Sequence, residues 1–215
     1  MLADADAVAR RGAAVLAECA RAAVAGRGAV TVAVSGGRTP WRMLAQLAGE
    51  DVPWRQARVY QVDERVVPEV HGDRNLTHLR KALPRAARGS VVPMDVEAED
   101  LERAAAAYAA ALPERLDLVH LGLGADGHTA SLVPGDPVLD VTDRDVAVTG
   151  VYQGHRRMTL TYPSLARARR ILWLVTGADK AEALARLLAH DRAIPAARVA
   201  NPDQLVLADR SAARA

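Results

Sequence analysis

Short apolar runs that alternate with helical segments are the feature of this chain that most restricts its fold. The runs predicted to be strands cover residues 29–35, 57–63, 116–122, 145–150, 157–162, 170–176 and 204–209. Several are nearly continuous in valine and leucine, which is typical of strands buried on both faces of a parallel sheet. Helices are predicted at 41–49, 98–112 and 180–190. The pattern predicts an α/β fold, a single Rossmann-like domain over residues 1–215 with a mainly parallel sheet flanked by helices.

The composition excludes several classes of protein. Half of the 215 residues are apolar and a quarter are charged, which is enough apolar material for a proper core. The net charge is only +2 and aromatic residues make up 3%, so neither property indicates nucleic-acid binding. No apolar run approaches the roughly 18 residues of a membrane span, and the N-terminal segment lacks the features of a signal peptide. We therefore expect a cytoplasmic protein that binds neither nucleic acid nor membrane.

The cysteine and histidine residues give no sign of a disulfide or a metal site. Cys19 is the only cysteine, so an internal disulfide is excluded, and we expect it to be a small buried apolar residue on an amphipathic helix rather than a reactive thiol. The histidines show no paired spacing of the H-E-x-x-H kind. His120 falls inside a predicted strand and is expected in the core or at a strand edge. We expect no metal and no cofactor.

Ligands of open α/β sheets bind beyond the carboxyl ends of the strands, so the residues that follow each strand matter most. The first strand is followed by Gly36, Gly37, Arg38 and Thr39, directly before a predicted helix. The glycines allow close backbone approach, and free N–H groups at a helix start favour an anion such as phosphate. Neither nucleotide-binding glycine pattern is matched. The alternative is a glycine-rich turn that only begins a helix.

Two other strand ends carry charge. Asp63, Glu64 and Arg65 end the second strand, where they indicate a local ion pair or a helix cap. Lys180 is one of only two lysines and is predicted in the first turn of a helix, where a cation opposes the helix dipole. A phosphate held there would remove the conflict. The alternative is a lysine at the surface.

The most informative strand end is the segment 121–132, in which Asp126 and His128 stand one glycine apart. A glycine-rich turn can aim both side chains into the crevice, and histidine is the commonest general base. Asp126 would orient or stabilise the imidazole, and backbone N–H groups of the 122–127 turn are candidates to bind an oxyanion. The alternative is an Asx turn followed by a histidine at a helix start.

Six stretches of the chain, in this order, resemble the 6-phosphogluconolactonase family, within a wider group that includes glucosamine-6-phosphate deaminase. The matching stretches are VSGGRTP, VDERVVP, RNLTHLR, LGLGADGHTASLVP, RRMTLTYPSL and VTGADKAEAL, which span residues 34 to about 187. The stretches D-G-H-T-A-S-L and D-E-R are the specific part, whereas S-G-G-x-T is shared across the wider group. The resemblance implies hydrolysis of 6-phospho-D-glucono-1,5-lactone to 6-phosphogluconate, in the pentose phosphate pathway and without a cofactor.

The resemblance also implies roles for individual residues. His128 would activate the attacking water, and Asp63 and Asp126 would line the sugar and the base. The residues implied to bind substrate are Gly36, Gly37, Arg38, Thr39, Arg65, Asn75, Arg157 and Lys180. Of these, the 36–39 loop, Arg157 and Lys180 would hold the phosphate. The expected partner is thus a small-molecule sugar phosphate lactone, and the oligomeric state stays open between a monomer and a weak dimer.

Two alternative functions are considered beside the lactonase. Deaminases of the wider group carry D-E-Y and a glutamate five residues after the D-G-H histidine, where this chain has Arg65 and Val133. A valine cannot transfer a proton, which favours hydrolysis. The second alternative is a non-catalytic sugar-phosphate sensor, supported only by analogy of fold. The chain also departs from the lactonase pattern, with Arg74-Asn75-Leu76 in place of S-N-Y and Gln153-Gly154-His155 before Arg157.

Overall fold

The main sheet of the protein is parallel, as the sequence predicts. The computed structural model describes residues 1–213, so residues 214–215 of the predicted domain lie outside the described part. Within it, the strands of this sheet are β1 (Val30–Val34), β2 (Ala57–Gln61), β4 (Val91–Val92), β5 (Leu118–Gly122), β8 (Ile171–Val175) and β9 (Gln204–Ala208). Their order is β4-β2-β1-β5-β8-β9, and every pairing is parallel. The α/β prediction is confirmed.

A second, smaller sheet was not predicted. It contains β3 (Asp63–Arg65), β6 (Val146–Val148) and β7 (Arg157–Leu160), paired antiparallel in the order β3-β7-β6. The segment 57–63 was predicted as one strand, but the chain leaves the main sheet after β2 and pairs with β7 instead. The small sheet therefore places β3 and β7 side by side at the carboxyl edge of the main sheet.

The helices are α1 (Ala5–Arg27), α2 (Arg38–Gln46), α3 (Asn75–Ala82), α4 (Leu101–Ala111), α5 (Tyr162–Arg167) and α6 (Ala181–Leu188). Local capping sets several of their ends: the Asp4 carboxylate accepts from the N–H of Ala7 at the start of α1, and Asp100 does the same for Arg103 in α4. Gly28 ends α1 at φ 78°. The short helices α3 and α5 were not predicted, because so few residues show no clear helical period.

Both faces of the main sheet are buried. Along β8, Trp173 faces one apolar cluster with neighbours from β5 and β7, whereas Leu172 faces the other, against α1 and α2. Leu118 and Val119 of β5 divide between the same two clusters. Because neighbouring side chains of a strand point to opposite faces, this division explains the nearly continuous apolar runs.

Two residues singled out from the sequence lie within this framework. Cys19 of α1 is partly buried, and its burial raises the pKa of the thiol. His120 of β5 is fully buried, as expected, and its burial lowers the pKa of the imidazole to about 3. Within residues 1–213, no helix combines the length and the apolar character needed to cross a membrane.

Candidate functional site

A cavity of about 180 Å³ lies at the carboxyl ends of β1 and β5, beside the small sheet. Its lining residues are Ser35, Gly36, Asp63, Arg65, Asn75, Gly122, Leu123, Gly124, His128, Ala130, Arg157 and Lys180. A second cavity of about 460 Å³ adjoins it and is lined in part by Gly37, Arg38 and Thr39. Gly36 and Lys180 line both cavities, so the predicted site residues meet around a common junction.

His128 lines the first cavity, and contacts with side chains outside that cavity hold its imidazole in place. Its Nδ1 lies 2.5 Å from Oδ1 of Asp126, which also accepts the backbone N–H of His128 at 3.1 Å. The other Asp126 oxygen accepts the hydroxyl of Tyr152 at 3.0 Å, and the Tyr152 ring stands edge-on to the imidazole. With Nδ1 turned to the carboxylate, Nε2 is the nitrogen free to act as a base.

Asp126 lines neither cavity, and its carboxylate contacts the imidazole of His128 instead. Its partial burial would raise its pKa, but the hydrogen bonds from His128, the charge of a protonated His128 and the Tyr152 hydroxyl together lower it. The carboxylate is therefore ionised at neutral pH, when it can stabilise an imidazolium.

The turn that carries this pair requires its glycines. A Cβ on Gly124 would lie 2.1 Å from Nδ1 of His128, and Gly127 has φ 82° with Ile194 close against it. The backbone N–H of Gly124 donates to the carbonyl of His128, and that of Gly127 donates to the carbonyl of Gly124. These two N–H groups stabilise the turn itself, so the prediction of oxyanion binding by the 122–127 turn is left to its other backbone N–H groups.

The D-E-R segment divides between two faces of β3, as the strand period of two requires. Asp63 and Arg65 line the cavity, whereas Glu64 is fully buried on the opposite side. The Glu64 carboxylate accepts the backbone N–H groups of Asn75 and Leu76, at 2.8 and 2.7 Å, and so caps α3. Burial raises the pKa of Glu64, and hydrogen bonds offset part of that rise. The helix-cap interpretation of this segment thus applies to Glu64 alone.

Arg157 is buried in the cavity wall beside Asp63. The Ser131 hydroxyl donates to Asp63 at 2.6 Å and lies 3.5 Å from Nη1 of Arg157. The guanidinium also stacks 5.1 Å above the ring of Tyr152. Its Nε is buried without a hydrogen-bond partner among residues 1–213. Burial lowers the pKa of Arg157, and the charge of Asp63 acts in the opposite direction; a guanidinium nevertheless stays charged at neutral pH.

Asn75 connects three walls of the cavity. Its Oδ1 accepts from Nη1 of Arg65 at 2.7 Å, and its Nδ2 donates to the carbonyl of Asp63 at 3.1 Å. A Cβ on Gly36 would lie 2.1 Å from Oδ1 of Asn75. Glycine is therefore required at position 36 by the close approach of Asn75, a reason that the sequence does not disclose.

The second cavity contains the start of α2. Gly37 precedes the helix at φ 134°, and no side chain of the described residues caps the first turn, so backbone N–H groups remain free for an anion. Thr39 does not offer its hydroxyl freely, because it lies 2.7 Å from the hydroxyl of Thr176 at the end of β8. The loop is thereby tied to the neighbouring strand end.

Lys180 lies one residue earlier relative to its helix than predicted. It is the residue before α6, which begins at Ala181, and it ends a short 3-10 helix, Ala178–Lys180. Its Nζ pairs with the Asp179 carboxylate at 3.0 Å. The predicted position in the first turn was wrong, and Asp179 already offsets the unfavourable dipole. What supports a binding role is the place of Lys180 at the junction of the two cavities.

Two residues of the site were missed from the sequence. Tyr152 lies just before the Gln153-Gly154 turn, a hairpin signal that would have placed it beside β7. Ser131 stands inside the D-G-H-T-A-S-L stretch, but its contact with Asp63 spans 68 residues. No local pattern reports such a contact.

The chain matches one known protein family over most of its length. Residues 3–207 match the family described as glucosamine-6-phosphate isomerases/6-phosphogluconolactonase. The chain belongs to this family. The prediction of membership is confirmed over nearly the whole sequence, and the matched residues include all those that line the first cavity.

Individual relatives are lactonases by name. A 6-phosphogluconolactonase of Synechocystis is 39% identical over 185 residues, 79% of this chain and 75% of that protein. One of Pseudomonas putida is 37% identical over 198 residues, 87% and 82% of the two chains. The solved structure of a Trypanosoma brucei 6-phosphogluconolactonase aligns with a TM-score of 0.88 at 28% identity, covering 99% of this chain and 96% of that one. The prediction that the chain is an enzyme of this family is therefore confirmed.

Proposed function

We propose that this protein hydrolyses 6-phospho-D-glucono-1,5-lactone to 6-phosphogluconate, with His128 as the general base. The observation that carries the proposal is the His128–Asp126 pair at the edge of a cavity rich in positive charge. The names of its relatives support the substrate, and the contact of Asp126 with Nδ1 supports the role of His128. The residues that meet here, from Ser35 to Lys180, favour one sugar-phosphate-hydrolase domain over residues 1–215.

The reaction uses one water molecule and no covalent intermediate. Nε2 of His128 accepts a proton as the water oxygen attacks the lactone carbonyl carbon. When the tetrahedral intermediate collapses, the bond between that carbon and the ring oxygen breaks, and the imidazolium returns the proton to the ring oxygen. The products are a carboxylic acid, which ionises, and a free hydroxyl group. Asp126 holds the imidazole in orientation and stabilises its charged form.

The charge of the cavity favours the negative charge that develops on the carbonyl oxygen. Among the described residues that line it, Arg65, Arg157 and Lys180 are cationic, and Asp63 alone carries a carboxylate. The Ser131 hydroxyl donates to Asp63 and so holds the Asp63 carboxylate in position beside Arg157. Fixed charges of this kind stabilise a transition state because they need no reorganisation during the reaction.

The phosphate is proposed to lie at the junction of the two cavities. Gly36 and Lys180 belong to both, Arg157 lies on the side of His128, and Arg38 and Thr39 lie on the other side. The free N–H groups at the start of α2 add donors for phosphate oxygens. The phosphate thus orients the lactone and takes no part in the chemistry.

Measuring the decay of the lactone tests both parts of the proposal. The lactone is generated in situ from glucose 6-phosphate, and its decay is followed with wild type, with His128→Ala, with His190→Asn and without protein. His190 is remote in sequence and exposed, at φ 54°, which asparagine tolerates. Wild type and His190→Asn should accelerate decay, and His128→Ala should lose about 10²–10⁴-fold in kcat.

The other outcomes of this experiment are equally definite. Full acceleration by His128→Ala would keep the activity and assign the base to another residue, of which Asp63 is the next candidate. If wild type does not exceed the spontaneous rate, release of ammonia from glucosamine 6-phosphate tests the deaminase alternative. Binding of that sugar phosphate without any turnover would leave the sensor alternative.

A further inference from the structure

A group of metal-ligating side chains lies outside the cavities described above. His71 and Asp73 belong to the loop between β3 and α3, and His155 belongs to the hairpin between β6 and β7. The three residues offer ligand atoms that all lie within 4.8 Å of one another. The histidines were not expected to bind metal, because His71 and His155 are far apart in sequence and show no ligand spacing.

The distances within the group are close to those of a metal site. Nε2 of His155 lies 3.2 Å from Oδ2 of Asp73, and Nδ1 of His71 lies 3.9 Å from the same oxygen. Ligands of a tetrahedral zinc ion, at about 2.0–2.2 Å from the metal, stand about 3.3–3.6 Å from one another. The pair of Asp73 and His155 already has nearly this spacing. Side-chain shifts of about an ångström would bring His71 to the same ligand spacing.

Each ligand is presented by fixed backbone. The backbone N–H of Asp73 donates to Nδ1 of His71 at 3.1 Å and orients the ring, and a metal ion at this nitrogen would replace that hydrogen bond on its single lone pair. His155 follows the two-residue turn of Gln153 (φ 50°) and Gly154 (φ 84°), and paired backbone hydrogen bonds to Tyr152 fix its place in the hairpin. The loop that carries His71 and Asp73 is also joined to the hairpin that carries His155, by a hydrogen bond from the N–H of Val66 to the carbonyl of Arg156.

We propose that His71, Asp73 and His155 bind one divalent transition-metal ion of the zinc class. Two imidazoles and one carboxylate suit zinc, whereas Mg²⁺ and Ca²⁺ prefer oxygen ligands alone. Three protein ligands leave the fourth position to water. The site includes neither His128 nor the lactone, so it can be tested independently of the proposed activity.

The bound ion would tether two parts of the cavity wall. The carbonyl of Asp73 accepts from Nη1 of Arg65 at 3.0 Å, and Arg65 lines the cavity. His155 is two residues from Arg157, whose guanidinium also lines it. Metal binding therefore restricts the motion of the segments that position both arginines.

Titration calorimetry of the full chain with zinc chloride tests the site, in a buffer that does not bind zinc. We expect one zinc ion per chain in the wild type. Affinity should fall at least about tenfold in His71→Ala and in His155→Ala, since even outer partners of metal ligands cost that much. His190→Asn is the matched control and should bind as the wild type does. Circular dichroism of each variant checks its folding, which should be intact because His71 is exposed and His155 is only partly buried.

Two further results decide the proposal. Zinc should slow amide hydrogen exchange in residues 66–74 and 150–157 of the wild type but not of His155→Ala. Absence of saturable binding, wild-type affinity in both His71→Ala and His155→Ala, or an affinity for Mg²⁺ equal to that for zinc would overturn the site. Binding that is lost with His128→Ala and kept with His71→Ala would place the ion in the active cavity instead, which also overturns it.

Discussion

The Asp126 carboxylate and the Nδ1 atom of His128 lie 2.5 Å apart, on a turn whose glycines leave no space for a side chain between them. Asp126 does not line the cavity, so we predict that it acts on catalysis only through the imidazole. Two residues that act in this way form one functional unit, and their substitutions should not have additive effects.

A double-mutant cycle tests this unit. His128→Ala should lower kcat by about 10²–10⁴-fold, and Asp126→Asn should lower it by a smaller factor. The double variant should be no slower than His128→Ala alone, because Asp126 has nothing left to orient. Asp95→Asn, an exposed carboxylate elsewhere, is the control for loss of charge. Losses that multiply would mean that Asp126 acts on the substrate directly.

Gly36→Ala should impair the site without disturbing the fold. The added Cβ would lie 2.1 Å from Oδ1 of Asn75, whose buried amide is held by Arg65 and by the carbonyl of Asp63. Displacing this amide releases Arg65, so we expect kcat/KM to fall by at least about tenfold, or 1.4 kcal/mol. Gly26→Ala, with nothing near its Cβ inside α1, should keep full activity. Equal activity of the two variants would contradict the role of Asn75.

Lys180→Ala should weaken substrate binding more than it slows the chemical step. Its ammonium lies at the junction of the two cavities, where the phosphate is proposed to bind. We expect KM to rise about 10–100-fold with kcat changed little, since the interaction is the same in the ground state and the transition state. Lys81→Ala removes the only other lysine, on the exposed face of α3, and should have no effect. A loss in kcat alone would argue against a phosphate anchor.

His120→Gln should reduce the acid sensitivity of the fold. Burial lowers the pKa of His120 to about 3, so the unfolded chain binds a proton in the window between pH 6.5 and 3 that the folded chain does not. The stabilisation is complete above the ordinary pKa and is lost as the pH falls toward 3. Between pH 7 and pH 4 this one group lowers the free energy of unfolding by about 3 kcal/mol.

Urea unfolding at the two pH values measures this effect. The fall in free energy between pH 7 and pH 4 should be about 3 kcal/mol smaller in His120→Gln than in wild type. Glutamine keeps an acceptor for the backbone N–H of Ser35, which donates to Nδ1 of His120 at 3.3 Å. His190→Asn should show the same pH dependence as wild type. Parallel curves for wild type and His120→Gln would show that His120 does not titrate in this window.

Much of the architecture and part of the site could be predicted because the relevant signals are local. Apolar runs such as 170–176 indicate strands buried on both faces, whichever strands become their neighbours. The turn with Asp126 and His128 was predicted from glycines and a two-residue spacing, and the structure brings these two side chains into contact. Signals of this kind depend on residues within one turn or one strand.

Other features depend on contacts between distant parts of the chain. The sequence of 57–63 predicts one strand, and only the pairing of β3 with β7 places β3 in a second sheet. Tyr152 meets Asp126 across 26 residues, and His155 meets Asp73 across 82. Such distances are set by how helices and sheets pack, which no short pattern specifies.

Local sequence signals were enough to predict the α/β class, the strand ends that line the cavity and the turn that holds Asp126 beside His128. Tertiary structure alone decided that Glu64 caps α3 while Asp63 and Arg65 line the cavity, and that Gly36 makes room for Asn75. The physical reason is that periodicity and turn chemistry act over a few residues, whereas a binding site is an arrangement of side chains that only the packed fold brings within reach.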